Sequence, residues 1–164
     1  MIRSRAASAL AVCLLAVLPT AGCYQGFDNT VNTQGPTGNG TDFIVGDVKV
    51  QDATFVADPT GSTGQASLIM TLVNEGEQAE ALLEVSTEPA STNSLMKTLP
   101  IGAGQKVMIG GASSEQVTIT GLDVDPGSYA TLTVKFERSG SDSRRVAVVP
   151  AVGYYEGYGP ASAE

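Results

Sequence analysis

The residues of this chain that are able to do chemistry form a short inventory. Histidine is absent, as is tryptophan, and there are two cysteines, Cys13 and Cys23. Without histidine the commonest general base and the commonest metal ligand are both missing. Ser-His-Asp and Cys-His nucleophilic chemistry are excluded, and no His-based zinc site can be built. Beyond Cys23 there is no thiol, hence no disulfide, no CxxC redox pair and no cysteine nucleophile. Three methionines follow it: Met70, Met96 and Met108. Met70 alternates with Leu68 and Leu72, the pattern of a core side chain. Met108 shares the parity of Lys106 and is expected to be partly exposed, and Met96 precedes Lys97 in a loop or short strand. The seventeen carboxylates are scattered. Asp123-x-Asp125 resembles part of a calcium loop but lacks the remaining ligands and the distal Glu, and reads instead as an Asp-rich type I turn ahead of Pro126-Gly127. A paired-carboxylate glycosidase wants an aromatic-lined cleft, which four Phe and five Tyr, three of these at the C-terminal end, do not supply. Gly110-Gly111 and Gly61-x-x-Gly64 do not open helices, so phosphate cradles are not expected.

The one residue with a definite chemical role is Cys23. Arg3 and Arg5 precede an apolar run from Ala6 to Leu18, and Leu18-Pro19-Thr20-Ala21-Gly22 leads into the cysteine. A positive head, a short apolar stretch and small residues before a cut make a secretory signal. With cysteine immediately after Ala21-Gly22, the segment resembles a bacterial lipobox, although Thr20 replaces the usual leucine. The resemblance implies cleavage before Cys23 and attachment of diacylglycerol and acyl (palmitate-type) lipid to it. One acyl chain holds a protein to a bilayer only marginally, and two or more hold it stably, at about 0.8 kcal/mol per buried CH₂. The mature protein is then expected on the outer face of the cell membrane, with residues 1–22 removed as signal peptide.

Charge narrows the partners. The formal net charge is −8, and loss of Arg3 and Arg5 takes it to about −10. A protein this acidic is not built to neutralise phosphates, so nucleic acid is not an expected partner. No basic patch assists membrane attraction, which leaves attachment to the lipid.

Residues 23–42 read as a lipidated tether. Gln34-Gly35-Pro36-Thr37-Gly38-Asn39-Gly40-Thr41 has no apolar period, and about 19 such residues span roughly 25 Å as a flexible coil. Residues 43–150 form a single domain of short strands punctuated by Gly, Pro, Asn and Asp. The pattern predicts strands at Phe43–Val45, Val48–Val50, Ala53–Ala57, Ala66–Val73, Ala79–Thr87, Leu95–Leu99, Lys106–Ile109, Gln116–Thr120, Tyr129–Glu137 and Arg145–Val149. Ala79–Val85 also suits a helix, but it is too short to be stable alone and its flanks are turn-like, so strand is favoured. These ten short runs, counted as seven to nine strands at roughly ten-residue spacing, predict an all-β, antiparallel sandwich of the cupredoxin-like or immunoglobulin-like kind. Residues 151–164 are a Tyr/Gly-rich tail, either a disordered end or an aromatic segment that packs on a partner or back on its own domain.

The order of these pieces resembles the envelope copper-chaperone family PCuAC (the DUF461 domain), and more closely the LpqE-type actinobacterial lipoproteins. Ala66-Ser67-Leu68-Ile69-Met70-Thr71-Leu72-Val73-Asn74-Glu75-Gly76 resembles the family's AYMTITNTG strand and turn. Leu82-Leu83-Glu84-Val85-Ser86-Thr87 is similar to its LVGASS strand, and Leu99-Pro100-Ile101-Gly102-Ala103-Gly104 to its IPAGG turn. Gly127–Glu137 with Val146–Pro150 resembles its closing hairpin. The resemblance covers about Val48 to Pro150 and implies a cupredoxin-like β-sandwich. It also implies a Cu(I) site of two histidines and two methionines spaced H-x10-M-x21-H-x-M, because soft thioether sulfur and imidazole suit Cu(I). Here Glu88-Pro89-Ala90-Ser91-Thr92-Asn93-Ser94 stands where the first His-Met stretch should lie, and Gln116-Val117-Thr118 where the second H-x-M should lie. No ligand carries over.

The resulting expectation is a membrane-anchored, non-catalytic module that binds an unidentified envelope protein, such as a cell-wall enzyme or an assembly factor, and holds no cofactor beyond its lipid. Contact residues are expected around the lost metal site, at Glu88, Ser91, Asn93, Met96, Gly111, Ser114 and Glu115, and in the tail at Tyr154, Tyr155 and Tyr158. The alternative is residual copper handling through Met96 and Met108.

Overall fold

The computed structural model describes residues 40–88, 97–111, 113 and 115–160. Nine strands run through them: β1 Thr41–Val45, β2 Val48–Ala57, β3 Gln65–Asn74, β4 Glu80–Glu88, β5 Leu99–Ile101, β6 Lys106–Ile109, β7 Val117–Thr120, β8 Tyr129–Phe136 and β9 Ser141–Pro150. The first strand takes in Thr41 and Asp42, which the sequence pattern assigns to the tether. The segment expected at Ala79–Val85 is strand from Glu80 onward, hydrogen-bonded to β5 on one side and β8 on the other.

Strand alternation explains the interior. Along β3, Leu68, Met70 and Leu72 are buried while Ile69, Thr71 and Val73 are half-exposed; along β8, Ala130, Leu132, Val134 and Phe136 are buried and their neighbours are not. The inward rows of β1, β2, β3, β6 and β7 meet those of β4, β5, β8 and β9 in one cluster, with Phe55, Phe136, Leu72 and Leu132 among its largest members. Met70 lies within it, as its spacing predicts.

The two layers are continuous, in the order β5-β4-β8-β9-β2-β3-β6, with β1 added to β2 and β7 to β3. The join between layers adds one parallel pairing to the expected all-β sandwich. β9 is antiparallel to β8 from Ser141 to Ala147, and then runs parallel to β2 through Phe55↔Val148, Val56↔Val149 and Ala57↔Pro150. The architecture is therefore a mixed sheet folded into a sandwich. β9 thus serves both layers, and β2, which receives it, is itself bent: the pieces Val48–Val50 and Ala53–Ala57 form one strand interrupted at Asp52, a non-glycine residue at φ 55. The register against β3 shifts between Gln51 and Thr54, and the Asp52 N–H donates to Asp42 Oδ1 at 2.8 Å. This is a β-bulge, which bends its strand and increases the local twist.

Turns differ in detail from the sequence pattern. Leu99-Pro100-Ile101 is strand, and the turn lies at Gly102–Gln105, closed by the Gln105 N–H on Gly102 O at 3.0 Å. Pro100 has no N–H to present on this short edge strand, which discourages further strand pairing there. The turn Asp125–Ser128 is closed by the Ser128 N–H on Asp125 O at 3.1 Å, with Gly127 at φ 93. Proline second and a positive-φ glycine third belong to a type II turn, in place of the expected type I.

Candidate functional site

Three groupings of polar or exposed side chains stand out, and each is set by a different piece of the fold. The first lies where the β3–β4 connection meets the β8–β9 hairpin. It is an open cleft whose rim includes Asp47, Asn74, Glu77, Gln78, Glu80 and Arg138. Its polar groups serve the scaffold. Asn74 is buried, and its side-chain amide donates to Gln78 O at 2.7 Å and to Ile101 O and Gly102 O at 3.2 Å, while its Oδ1 accepts from the Gly76 N–H at 3.0 Å. Glu80, only 5% exposed, accepts from the Ala81 N–H at 2.8 Å, the Arg138 N–H at 3.0 Å and the Ser139 N–H at 2.8 Å. Burial pushes its carboxyl upward, but these donors outweigh it and hold the group below the ordinary glutamate range. The Arg138 guanidinium donates to the Gln78 side chain across the same rim. With its oxygens occupied by backbone, Glu80 is an anchor for the hairpin. Its position in the sequence gave no hint of this, because two of the three donors, Arg138 and Ser139, lie nearly sixty residues away.

The second grouping surrounds the β6–β7 loop. Gly110 N–H donates to Glu115 O at 2.7 Å, Ser113 Oγ to Glu115 O at 2.9 Å, and Gln116 Nε2 to Gly111 O and Ser113 O at 3.0 and 2.9 Å. Val117 points into the core. The loop packs against Leu68 and Ile69, so closely that a Cβ on Gly110 would stand 2.4 Å from Leu68 O. It thus lies halfway along β3 and not among the loops at the end of the sandwich. The C-terminal segment reaches it: the Ala151 N–H donates to Ala57 O at 2.9 Å, a single 3-10 turn follows at Gly153–Tyr155, and the Tyr158 ring lies over Gly111, where a Cβ would come within 2.5 Å of it. Residues 151–160 therefore fold back on their own domain. Tyr154 remains 84% exposed and meets Tyr155 edge to face at 5.1 Å.

Of the residues expected at the site, Gly111, Glu115 and Tyr158 share this flank, with Tyr154 and Tyr155 on the same C-terminal segment. Met108 lies on the adjoining β6 opposite Thr71, half-exposed as its parity predicts. Glu88 lies apart, at the end of β4 in the other layer, opposite Thr131. Cys23, Ser91, Asn93, Met96 and Ser114 lie outside the described residues. Among the described residues, no three of His, Cys, Asp and Glu are placed to hold a metal ion. Asp58 accepts the backbone N–H of Thr60 at 2.9 Å, its hydroxyl at 2.9 Å and that of Ser62 at 3.4 Å, which hold its carboxyl below the usual range and mark an Asx turn.

The third grouping is the outward face of β8 and β9. The guanidinium of Arg145 lies 4.8 Å from the centre of the Tyr129 ring, and Thr133 and Ser143 share a hydroxyl hydrogen bond of 2.8 Å. Sequence reading passed over this pair, although the outward parity of Tyr129 was legible.

No family model matches the chain, and no curated protein matches it. Solved structures do. The apo PCuAC domain from PmoF1 superposes with a TM-score of 0.59 at 18% identity, over 66% of this chain and 98% of that domain. The apo PmoF2 PCuAC domain gives 0.57 at 18%, over 68% and 97%, and the copper-bound PCuAC domain from PmoF2 gives 0.56 at 19%, over 66% and 97%. The resemblance to PCuAC domains is thus one of fold, and it spans nearly the whole of each of those domains.

Proposed function

We propose that this chain is a non-catalytic binding module on the PCuAC fold, tethered to the outer face of the cell membrane through lipid on Cys23, and docking an envelope protein. The likeness to LpqE-type lipoproteins belongs to this reading. The observation that carries it is the use made of the family's second ligand stretch. Where the copper chaperones are expected to present H-x-M, this chain has Gln116-Val117-Thr118; Gln116 closes the β6–β7 loop and Val117 fills the core. The fold is kept and the ligand residue types are not.

The docking surface in this reading is the flank formed by Gly111, Met108 and the returning tyrosines. Tyr and Met join large contact area to adaptable or polar tips, as interfaces favour. Crosslinking in intact envelope is expected to join a partner to a photoreactive group placed at Tyr154, and Tyr154→Ala with Tyr158→Ala to reduce its capture by at least tenfold. Capture unaffected by the pair would remove this surface from the proposal. Cys23→Ser is expected to stop lipid attachment, so that fractionation finds the protein unprocessed or released. A mature, membrane-bound Cys23→Ser protein would contradict the anchor.

A second reading, copper handling through Met96 and Met108, is favoured by the exposure of Met108 and by the copper-bound state of one structural neighbour. Two thioethers without imidazole are a thinner donor set than the two histidines and two methionines that the family resemblance implies for Cu(I). Titration with Cu(I) against a competing chelator is therefore expected to show no tight binding. Tight binding abolished by Met96→Ser with Met108→Ser would establish the second reading instead.

A further inference from the structure

The outer face of the β4–β8–β9 layer carries groups that neither the core nor the docking flank uses. Tyr129, Thr131, Thr133 and Lys135 alternate outward along β8. The register sets Thr131 between Glu88 on β4 and Arg145 on β9, and Thr133 between Ser86 and Ser143. Lys135 faces Glu84 across the β4–β8 pair. The face is thus rich in hydroxyls, with Tyr129, 46% exposed, as its aromatic member.

Arg145 is the unusual element. Its neighbour Arg144 is paired with Asp142 at 2.7 Å, yet Arg145 makes no ion pair among the described residues, in a chain whose net charge is −8. It is nevertheless positioned, because its guanidinium carbon lies over the Tyr129 ring. A guanidinium over a ring face still has N–H groups directed away from the ring, and its planar fork matches a carboxylate with two parallel hydrogen bonds. Thr and Ser hydroxyls each donate and accept, which suits a ligand made of hydroxyls. A protein partner would want a desolvated apolar or aromatic centre, and a hydroxyl-rich surface provides little of one.

We propose that this face binds a saccharide chain bearing carboxylates. The carboxylate sits on the Arg145 fork, sugar hydroxyls pair with Thr131 and the Thr133–Ser143 couple, and Tyr129 forms an apolar wall. Glu88, on the far side of Thr131, accepts sugar hydroxyls and repels the anion, so the chain is held with its carboxylate at the Arg145 side. The site is separate from the docking flank and does not depend on it.

Titration calorimetry of the full chain with an oligogalacturonate tests this, with its methyl-esterified form and an oligoglutamate as the other probes. The acid oligosaccharide is expected to bind at least tenfold more tightly than either. Arg145→Ala and Tyr129→Ala, both at exposed positions and checked for folding by circular dichroism, are expected to weaken it at least tenfold. Arg145→Lys should recover only part, and Arg144→Ala should change little. Absence of binding, equal binding of oligoglutamate, or equal losses for Arg144→Ala and Arg145→Ala would each overturn the proposal.

Discussion

Replacing Glu80 with alanine is expected to destabilise the domain by about 3 kcal/mol at neutral pH, since hydrogen bonds to a charged acceptor contribute about 1.5–3 kcal/mol and the buried Ala81 N–H, left without one, adds its own penalty. The Ala81, Arg138 and Ser139 N–H groups all converge on this carboxylate, and the two in the hairpin have their alternative acceptor only in water. Glu80→Gln keeps the size but turns a donor toward donors, so it should lose a large part of the same energy. The pH dependence separates charge from packing. Because the folded carboxyl is held below the ordinary glutamate value, its contribution is in full force above the unfolded value of about 4.3 and is lost as pH falls through the folded one. Urea denaturation of wild type and Glu80→Gln should therefore show a gap that is widest near neutrality and narrows in acid. A gap of constant size from pH 7 to pH 3 would mean that the ionised carboxylate is not what holds the hairpin.

Phe55→Ala is the second large effect, expected at about 3–5 kcal/mol from lost burial and the cavity left behind. Phe55 is fully buried and lies past the Asp52 bulge, paired with Leu68 on β3 and with Val148 in the parallel register of β9. It stands where the two layers become continuous, so collapse around the cavity would have to move both. Val56 is as deeply buried, but alternation places it on the opposite face of β2, outside the central cluster. Val56→Ala, which removes two methyl groups, should cost markedly less. Denaturation midpoints at unchanged slope would measure both. Equal effects would show that the junction has no special place in the core.

How far the sequence could be read follows from the range of the interactions involved. Alternation with period two is a property of the strand itself, so the inward rows of β3 and β8, the core position of Met70 and the exposure of Met108 were all legible. The lack of histidine is likewise complete in the sequence, and it removes a whole class of sites without reference to shape. The apolar spacing of Ala79–Val85 suits both helix and strand; its shortness and turn-like flanks already favoured strand, and hydrogen bonding of β4 to β5 and β8 makes it one. The short strand at Leu99–Ile101 is set the same way, by pairing with Glu80–Leu82, against a local pattern that placed strand before it and turn within it.

The site groupings depended on tertiary structure more heavily still. Glu80 meets its hairpin donors, Tyr158 meets Gly111, and β9 leaves β8 to join β2 in parallel, all across tens of residues with no periodic signal between them. Arg145 and Tyr129 lie sixteen residues apart and meet only through the register of β8 and β9. By itself the sequence determined an all-β domain without histidine chemistry, carrying a lipobox-like segment ahead of it, because composition, alternation and a contiguous motif are local. Which strands pair, in which direction, and which polar side chains consequently share a face, was decided only by the folded chain, because those depend on closing long loops around a common core.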